Sequence, residues 1–277
     1  MTVKLLAIVV TYYPDLSELK RNILRYLSDV DSLMIWENTP LKDRKGYQLN
    51  ISQFGGKVFF AGVDDNMFIS YPLNQAVNYA KLNGFTHILT MDQDSCFEEG
   101  HFSKYKKIAT ASENLDIWGP NPNNSFQPIQ DIPQKRDRLM TSGNIVNLKL
   151  FDEIGLFRED YKIDCVDFEF CYRAIRNGYS VYSVNSILIH QNFGNKIRTR
   201  FKFETYRYSP LRLFFMARNN IILHYEYPEH GYNGIVTYIL KPIPKIILTE
   251  SDKLKKIISL FKGGWFGLLY VMKIYRK

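Results

Sequence analysis

The stretch His87-Ile-Leu-Thr-Met-Asp-Gln-Asp94 joins an apolar strand to an acidic turn, and it decides the fold. The run from His87 to Met91 is short and almost continuously apolar, which is typical of a strand buried on both faces of a sheet. Asp92 and Asp94 follow at once. Ligands of open α/β sheets bind beyond the carboxyl ends of the strands, so the sequence predicts a functional site at this turn.

Similar strands alternate with helices through the first half of the chain. Val3–Val10 predicts a first buried strand, Ser32–Trp36 a second and Val58–Phe60 a weaker third. Apolar residues recur at helical spacing after Ser17 and over Tyr71–Leu82, which predicts helices between the strands. This alternation indicates an α/β protein with a parallel sheet covered by helices.

Composition excludes several classes of protein. The 277 residues are 45% hydrophobic, which is too apolar for a disordered chain and ample for a large core. Three cysteines without a CxxC pair exclude a disulfide framework and favour a reducing, cytoplasmic setting. The sequence has no GxGxxG fingerprint, no P-loop and no GxSxG elbow.

The net charge of +8 is unevenly distributed. Residues 1–195 are mildly acidic, whereas residues 241–277 hold nine Lys and Arg against two Asp and Glu. This distribution disfavours a nucleic-acid-binding protein and favours a tail that meets an anionic surface.

Two acidic groups are candidates for chemistry. Asp92 and Asp94 offer hard oxygen ligands one residue apart, which suit Mg or Mn together with substrate phosphates; the alternative is a solvated acidic turn. His190, after a short apolar strand, could supply a third ligand, although a lone histidine is more often structural. Asp167 and Glu169 open a predicted helix at 167–177, where carboxylates also complement the helix dipole. Residues two apart diverge on a helix, so these two acids should differ in role, with Asp167 a candidate general base.

Taken in order, these motifs resemble the family-2 inverting glycosyltransferases of GT-A fold, most of all their rhamnosyltransferase-like branch. The resemblance covers about residues 3–225. The segments that carry it are Val9–Tyr13, Trp36–Asn38, Asn66 with Asn74, Met91–Ser95, Thr141–Asn144, Val166–Arg173, Gly178-Tyr179, His190 with Gly194, and the pair Arg218-Asn219.

The resemblance implies a mixed GT-A sheet and a metal-dependent transferase. The enzyme would move a sugar, rhamnose in this branch, from a UDP- or dTDP-sugar to a hydroxyl of a cell-surface polysaccharide or lipid-linked precursor. Asp92 and Asp94 match the DxD motif and, with His190, would bind Mn or Mg. Asp167 would be the general base and Glu169 would touch the acceptor. The implied nucleotide-binding residues are Thr11, Tyr13, Glu37, Asn66, Asn74 and Asp92.

Three positions depart from the family pattern. Val166 replaces the usual Glu of the "ED" pair, Phe68 stands where Gly is common between the two asparagines, and Glu37 replaces Asp. These departures affect recognition of the base and sugar more than the reaction class.

Residues 1–225 are predicted to form the catalytic domain, and residues 226–277 a basic, amphipathic helical segment. Lysines alternate there with apolar groups, which suits a helix lying in an anionic membrane interface. The alternative is a helix docked on the catalytic domain or on a second subunit, as in a homo-oligomer. Lys262 and the pair Gly263-Gly264 interrupt the longest apolar run, so we predict a peripheral protein at the inner face of the plasma membrane rather than a spanning one.

Two other readings remain open on sequence alone. A catalytically silent module would bind a nucleotide or glycan without transferring sugar. A carboxylate-metal nucleic-acid enzyme would use the basic last third, and its binding would depend steeply on salt.

Overall fold

The computed structural model describes residues 3–44, 50–111, 114–192, 197–198, 204–230 and 236–275. The chain divides into two compact units. One, here called the sheet unit, comprises Met1–Glu159 and Phe170–Gln191; the other, the helical unit, comprises Asp160–Glu169 and Asn192–Lys277. The boundaries of these two units differ from the predicted boundary between residues 225 and 226. The functional division at that point stays a prediction.

One mixed sheet forms the centre of the sheet unit. Its order is β3-β2-β1-β4-β8-β6-β9-β5, with β7 also paired to β9. The strands are β1 (Leu5–Thr11), β2 (Ser32–Glu37), β3 (Val58–Gly62), β4 (His87–Asp92), β5 (Ser95–Phe97), β6 (Ile117–Pro122), β7 (Gln134–Lys135), β8 (Asn144–Asn147) and β9 (Val181–Gln191).

Helices flank this sheet, as the resemblance to GT-A proteins implied. They are α1 (Leu16–Leu24), α2 (Ser70–Leu82), α3 (His101–Ala109), α4 (Leu150–Ile154) and α5 (Val166–Arg176). The side chain of Asp15 begins α1 by accepting the backbone N–H groups of Ser17 and Glu18.

Strand register brings the predicted polar ends together. β1 is parallel to both β2 and β4, with Thr11 opposite Glu37 and Val10 opposite Asp92. All seven residues of β1 are buried, so its apolar run is covered on both faces. The polar residues after β1, β2 and β4 therefore share one edge of the sheet.

The second half of the sheet is less parallel than the alternation indicated. β8 pairs antiparallel with both β4 and β6, and β5 pairs antiparallel with β9. β9 runs without a break from Val181 to Gln191, and its pairing with β6 shifts register between Gly119 and Asn121.

The helical unit contains β10 (Ile197–Arg198), β11 (Glu204–Thr205), α6 (Pro210–Glu226), a π-helical turn (Val236–Leu240), α7 (Pro242–Thr249) and α8 (Lys253–Tyr275). Within it, α8 packs closely on α6. A Cβ at Gly263 would overlap the carbonyl of Phe214, and one at Gly267 would lie 2.8 Å from the carbonyl of Arg218. Only glycine allows the two backbones to approach so closely.

Lys262 and the Gly263-Gly264 pair, which interrupt the last apolar run, do not interrupt the helix. α8 continues through Gly263 and Gly264 because both glycines are buried in the contacts of the helix rather than exposed to water. By length and composition alone, Lys253–Ile274 could cross a membrane, although 28% of its most apolar window is buried inside the protein.

Candidate functional site

The Asp92-Gln-Asp94 turn connects β4 to β5 and is held from two sides. The backbone N–H of Asp92 donates to the Ser142 hydroxyl at 3.1 Å. The side-chain amide of Gln191 donates to Oδ2 of Asp92 at 2.9 Å. Asp92 and Asp94 are both half-buried, so their carboxylates lie at the sheet edge rather than in its core.

Gln93, between the two acids, ties this turn to the end of β1. Its Oε1 accepts the backbone N–H of Tyr12 at 2.7 Å, and its Nε2 donates to the Tyr12 carbonyl at 3.2 Å. Asn22 of α1 also donates to the Gln93 carbonyl at 3.0 Å. Gln93 was not among the predicted site residues, and its place inside the acidic motif was the only signal that could have found it.

His190 and Gln191, neighbours on β9, lie in different surroundings near the acidic turn. On β9, His190 lies opposite Cys96 and Gln191 opposite Ser95 of β5. Neighbouring residues of a strand point to opposite faces, and His190 is exposed while Gln191 reaches Asp92. The Oε1 of Gln191 is buried, and no hydrogen-bond partner for it lies among the described residues. The metal-binding role predicted for His190 stays a prediction.

The donor chemistry of this turn fits a hard divalent cation. Two carboxylates and an amide offer oxygen ligands, which Mg and Mn prefer, and such sites are commonly completed by substrate phosphates. Among the residues with described positions, no group of three His, Cys, Asp or Glu side chains could hold a metal ion by itself.

At the end of β1, Thr11 and Tyr13 lie in different surroundings. Thr11 is 1% exposed, and its hydroxyl donates to the Trp36 carbonyl at 3.0 Å. Tyr13 is 51% exposed, with a left-handed φ of 45°. Its hydroxyl donates to Asp43, and this hydrogen bond raises the pKa of Tyr13 to about 12. Of the two, Tyr13 presents a ring to solvent and Thr11 joins two strands.

The side chains of Glu37 and Asn38, at the end of β2, accept hydrogen bonds from nearby backbone groups. Glu37 accepts the backbone N–H of Thr39 at 2.7 Å through Oε1. Asn38 is buried, and its Oδ1 accepts the indole N–H of Trp36 at 3.2 Å and the backbone N–H of Met67 at 3.0 Å. Asn38 thereby fixes the loop before α2 to this edge.

Asn66 closes a turn within that loop. Its Oδ1 accepts the backbone N–H of Phe68 at 2.8 Å, and Phe68 has a left-handed φ of 60°. Glycine adopts this conformation most readily, which gives a physical reason for the family preference at position 68. The Asn38 amide donates to the Phe68 carbonyl and offsets part of the strain.

Asn74, for which the resemblance implied a nucleotide contact, is hydrogen-bonded to residues 157 and 159. It is 2% exposed, and its amide donates to the Phe157 carbonyl and to Glu159, both at 2.9 Å. Its Oδ1 accepts the Phe157 N–H at 2.9 Å. Asn74 therefore braces the chain at 157–159, and a nucleotide contact for it stays a prediction.

Asp167 and Glu169 belong to the helical unit. Asp167 is half-buried in the first turn of α5, where its Oδ1 accepts the backbone N–H of Phe168 at 2.9 Å. Glu169 has no exposed surface, and its Oε1 accepts the Tyr227 hydroxyl at 2.9 Å. The expectation that the two acids differ is consistent with this geometry. The acceptor contact predicted for Glu169 stays a prediction.

The loop before Asp167 has an unusual backbone. Lys162, Asp164 and Cys165 all have left-handed φ angles between 59° and 65°. Such residues cost about 1–3 kcal/mol each and persist where the surroundings hold them. Asn219 of α6 supplies this restraint, because its amide donates at 2.7–3.0 Å to the carbonyls of Tyr161, Ile163 and Asp164.

Two arginines of α6 support the same loop. Arg218 donates to the Asp160 carbonyl at 3.0 Å and to Oδ1 of Asn219 at 2.6 Å. Arg212 pairs with Asp164 at 3.2 Å. Burial raises the pKa of Asp164, and the Arg212 charge acts in the opposite direction. The Arg218-Asn219 pair belongs to the family resemblance in the sequence. Its hydrogen bonds thus hold the loop that precedes Asp167. Gly194 lies outside the described residues.

A curated relative covers most of this chain. The two are 25% identical in an alignment of 243 residues, the match covers 80% of each protein, and the relative is the dTDP-rhamnosyl transferase RfbF of Shigella flexneri. The chain is thus similar to a rhamnosyl transferase over most of its length. No family model matches it.

Solved structures match the fold of this chain, which is a GT-A fold. GalNAc-T7 with UDP, GalNAc and Mn2+ matches at a TM-score of 0.64 and 11% identity, over 92% of this chain and 53% of that one. Staphylococcus aureus TarS matches at 0.54 and 15%, over 88% of this chain and 47% of that one. TarS 1-349 matches at 0.54 and 13%, over 95% and 90%. The protein thus spans about half of the two longer chains, and at these identities the likeness shows the fold.

Proposed function

We propose that this rhamnosyltransferase-like protein is an inverting glycosyltransferase. It transfers a sugar, rhamnose by likeness to its relative, from a UDP- or dTDP-sugar to a hydroxyl of a polysaccharide or lipid-linked precursor. The observation that carries the proposal is the Asp92-Gln-Asp94 turn at the shared carboxyl edge of β1, β2 and β4. Such an edge is where α/β sheets bind their ligands.

The donor is held by the sheet unit. Asp92 and Asp94 bind Mn or Mg together with the diphosphate, and Tyr13 and Glu37 meet the nucleotide at the ends of β1 and β2. When bound, the cation stabilises negative charge on the departing diphosphate. Gln93 and Gln191 keep the acidic turn in place for this task.

Asp167 removes the proton of the acceptor. The acceptor oxygen attacks the anomeric carbon, a new C–O bond forms, the bond to the diphosphate breaks, and the hydroxyl proton passes to the Asp167 carboxylate. The first turn of α5 supports this role, since the helix dipole favours the ionised carboxylate there. Attack opposite the leaving group inverts the sugar configuration.

The protein acts at the cytoplasmic face of a membrane. The basic segment at 226–277 meets anionic lipid, near which a lipid-linked acceptor would be found. Homo-oligomerisation remains compatible with this arrangement.

A ligand panel followed by a transfer assay tests the proposed activity. UDP- and dTDP-sugars are added with and without Mn, and donor binding should raise Tm in the presence of the cation. Asp167→Asn should keep donor binding and lose transfer by about 10²-fold or more. Asp152→Asn, on an exposed carboxylate of the sheet unit, is the matched control. Full activity of Asp167→Asn would refute the base, and binding without any transfer would indicate a silent module.

A further inference from the structure

One face of α8 carries a continuous row of exposed apolar side chains. They recur every three or four residues along the helix, so they lie on one side. Their exposed fractions run from 40% to 72%, for Leu254, Ile258, Phe261, Trp265, Leu269 and Met272. A contiguous apolar surface of this kind marks an interaction site.

The opposite face of α8 is already occupied. Gly263 and Gly267 pack against the backbone of α6, and Gly264 meets Ile239 of the π-helical turn. Gly263 and Gly267 lie about half a turn from the apolar row and Gly264 about a quarter of a turn, since a helix has about 3.6 residues per turn. Contact with α6 therefore fixes the rotation of α8 and leaves the row facing outward.

Charge identifies what covers the row. Between residues 253 and 275 there are five lysines and no acidic residue. Lys255, Lys262 and Lys273 are exposed and follow one flank of the row, whereas Lys256 is buried against Glu250 at 2.7 Å. An apolar strip beside a line of cations matches the boundary between acyl chains and anionic headgroups.

We propose that α8 lies in the plane of an anionic membrane surface, with the Leu254–Met272 row embedded and the glycine face on α6. This inference rests on the membrane contact proposed above and specifies its geometry. A spanning orientation would separate α8 from α6, place Lys262 near the bilayer centre and disturb the buried Lys256–Glu250 pair, each of which is unfavourable. A two-fold dimer through the row would bring two lysine lines together, whereas anionic lipid neutralises them.

Trp265 provides a direct probe of this orientation. The chain has three tryptophans, and Trp36 and Trp118 are 5% and 8% exposed against 61% for Trp265. Vesicles of phosphatidylcholine containing phosphatidylglycerol should shift the fluorescence emission of Trp265 to shorter wavelength, whereas pure phosphatidylcholine vesicles should not. Trp265→Phe should abolish the shift. Trp265 is next to the midpoint of α8, so a spanning helix would place it at the bilayer centre. In the in-plane orientation, lipids with a quencher near the headgroup should quench its fluorescence most. Strongest quenching by lipids with a quencher at the bilayer centre would overturn the in-plane orientation.

Cosedimentation of the full chain with the same vesicles tests the row itself. Phe261→Glu should lower the vesicle partition coefficient by about tenfold or more. Leu82→Glu, at an 86% exposed leucine of α2, should leave it unchanged. Equal binding by both variants, or a dimer in light scattering that Phe261→Glu dissociates, would overturn the proposal. Neither donor nor metal is present in this experiment, so its failure is distinct from failure of the transfer reaction.

Discussion

Gln191 donates its side-chain amide to Oδ2 of Asp92 at 2.9 Å, while the neighbouring His190 is exposed on the other face of β9. The first acid of the Asp92-Gln-Asp94 turn is thus oriented by a neutral amide. A hydrogen bond to a carboxylate contributes about 1.5–3 kcal/mol, enough to keep one carboxylate orientation dominant.

Replacing Gln191 with Leu should therefore weaken Mn-dependent donor binding. Loss of the amide frees the Asp92 carboxylate, and we expect a dissociation constant about tenfold higher by titration calorimetry. His190→Ala is the matched control and should change the constant less. The reverse order would show that the histidine, not the amide, belongs to the cation site.

Asn219→Ala should destabilise the protein and reduce transfer together. Its amide bonds to three carbonyls of the 161–164 loop, where the left-handed residues need support. We expect a loss of about 1–3 kcal/mol in the free energy of unfolding by urea titration, and a lower kcat. Asn177→Ala, which loses one exposed bond to the Arg173 carbonyl, should cost less. Equal losses in the two variants would contradict the role given to Asn219.

Gly267→Ala should loosen the contact between α8 and α6. The added methyl would lie 2.8 Å from the Arg218 carbonyl and 3.1 Å from Cβ of Ile221, so the helices must separate. Overpacking of this kind costs about 1–3 kcal/mol, despite the better helix propensity of alanine. Thermal unfolding measures the change, and Ser259→Ala, elsewhere on α8, is the control. A rise in Tm for Gly267→Ala would contradict the packing.

His87 should make stability depend on pH between about 6.5 and 4. Burial lowers its pKa from 6.5 to about 4, so the folded protein keeps it neutral. As the pH falls through this range the unfolded chain binds a proton that the folded protein does not, and stability decreases. The loss is about 2–3 kcal/mol, and urea titrations from pH 7 to pH 4 measure it. His87→Gln should flatten this dependence; an unchanged slope would assign it to other groups.

Local sequence predicts the first half of the sheet because burial on both faces leaves a clear apolar run in β1 and β4. The positions of the acidic turn followed from the ends of those strands. Apolar residues at helical spacing also predicted α2 to within one residue. These features depend on interactions close in sequence.

The remaining site features depend on distant pairing. Gln191 reaches Asp92 only because β9 pairs with β5 in one register, and a one-residue shift would have presented His190 instead. Glu169 and Asn74 are polar in sequence, yet tertiary contacts bury both. Glycines are ambiguous in the same way: Gly263 and Gly264 predict a break when exposed and a close helix contact when buried.

Because glycines join α8 closely to α6, attachment of α8 to a membrane would set the length of acceptor that the protein can use. α6 also carries Asn219, which holds the loop leading to Asp167. With α8 on a bilayer as proposed, the packed helix pair would hold Asp167, the proposed general base, at one height above the lipid. Acceptors whose reactive hydroxyl reaches that height would receive a sugar, and shorter or longer acceptors would not react. Chain length of the growing glycan would then be selected by the geometry of two packed helices.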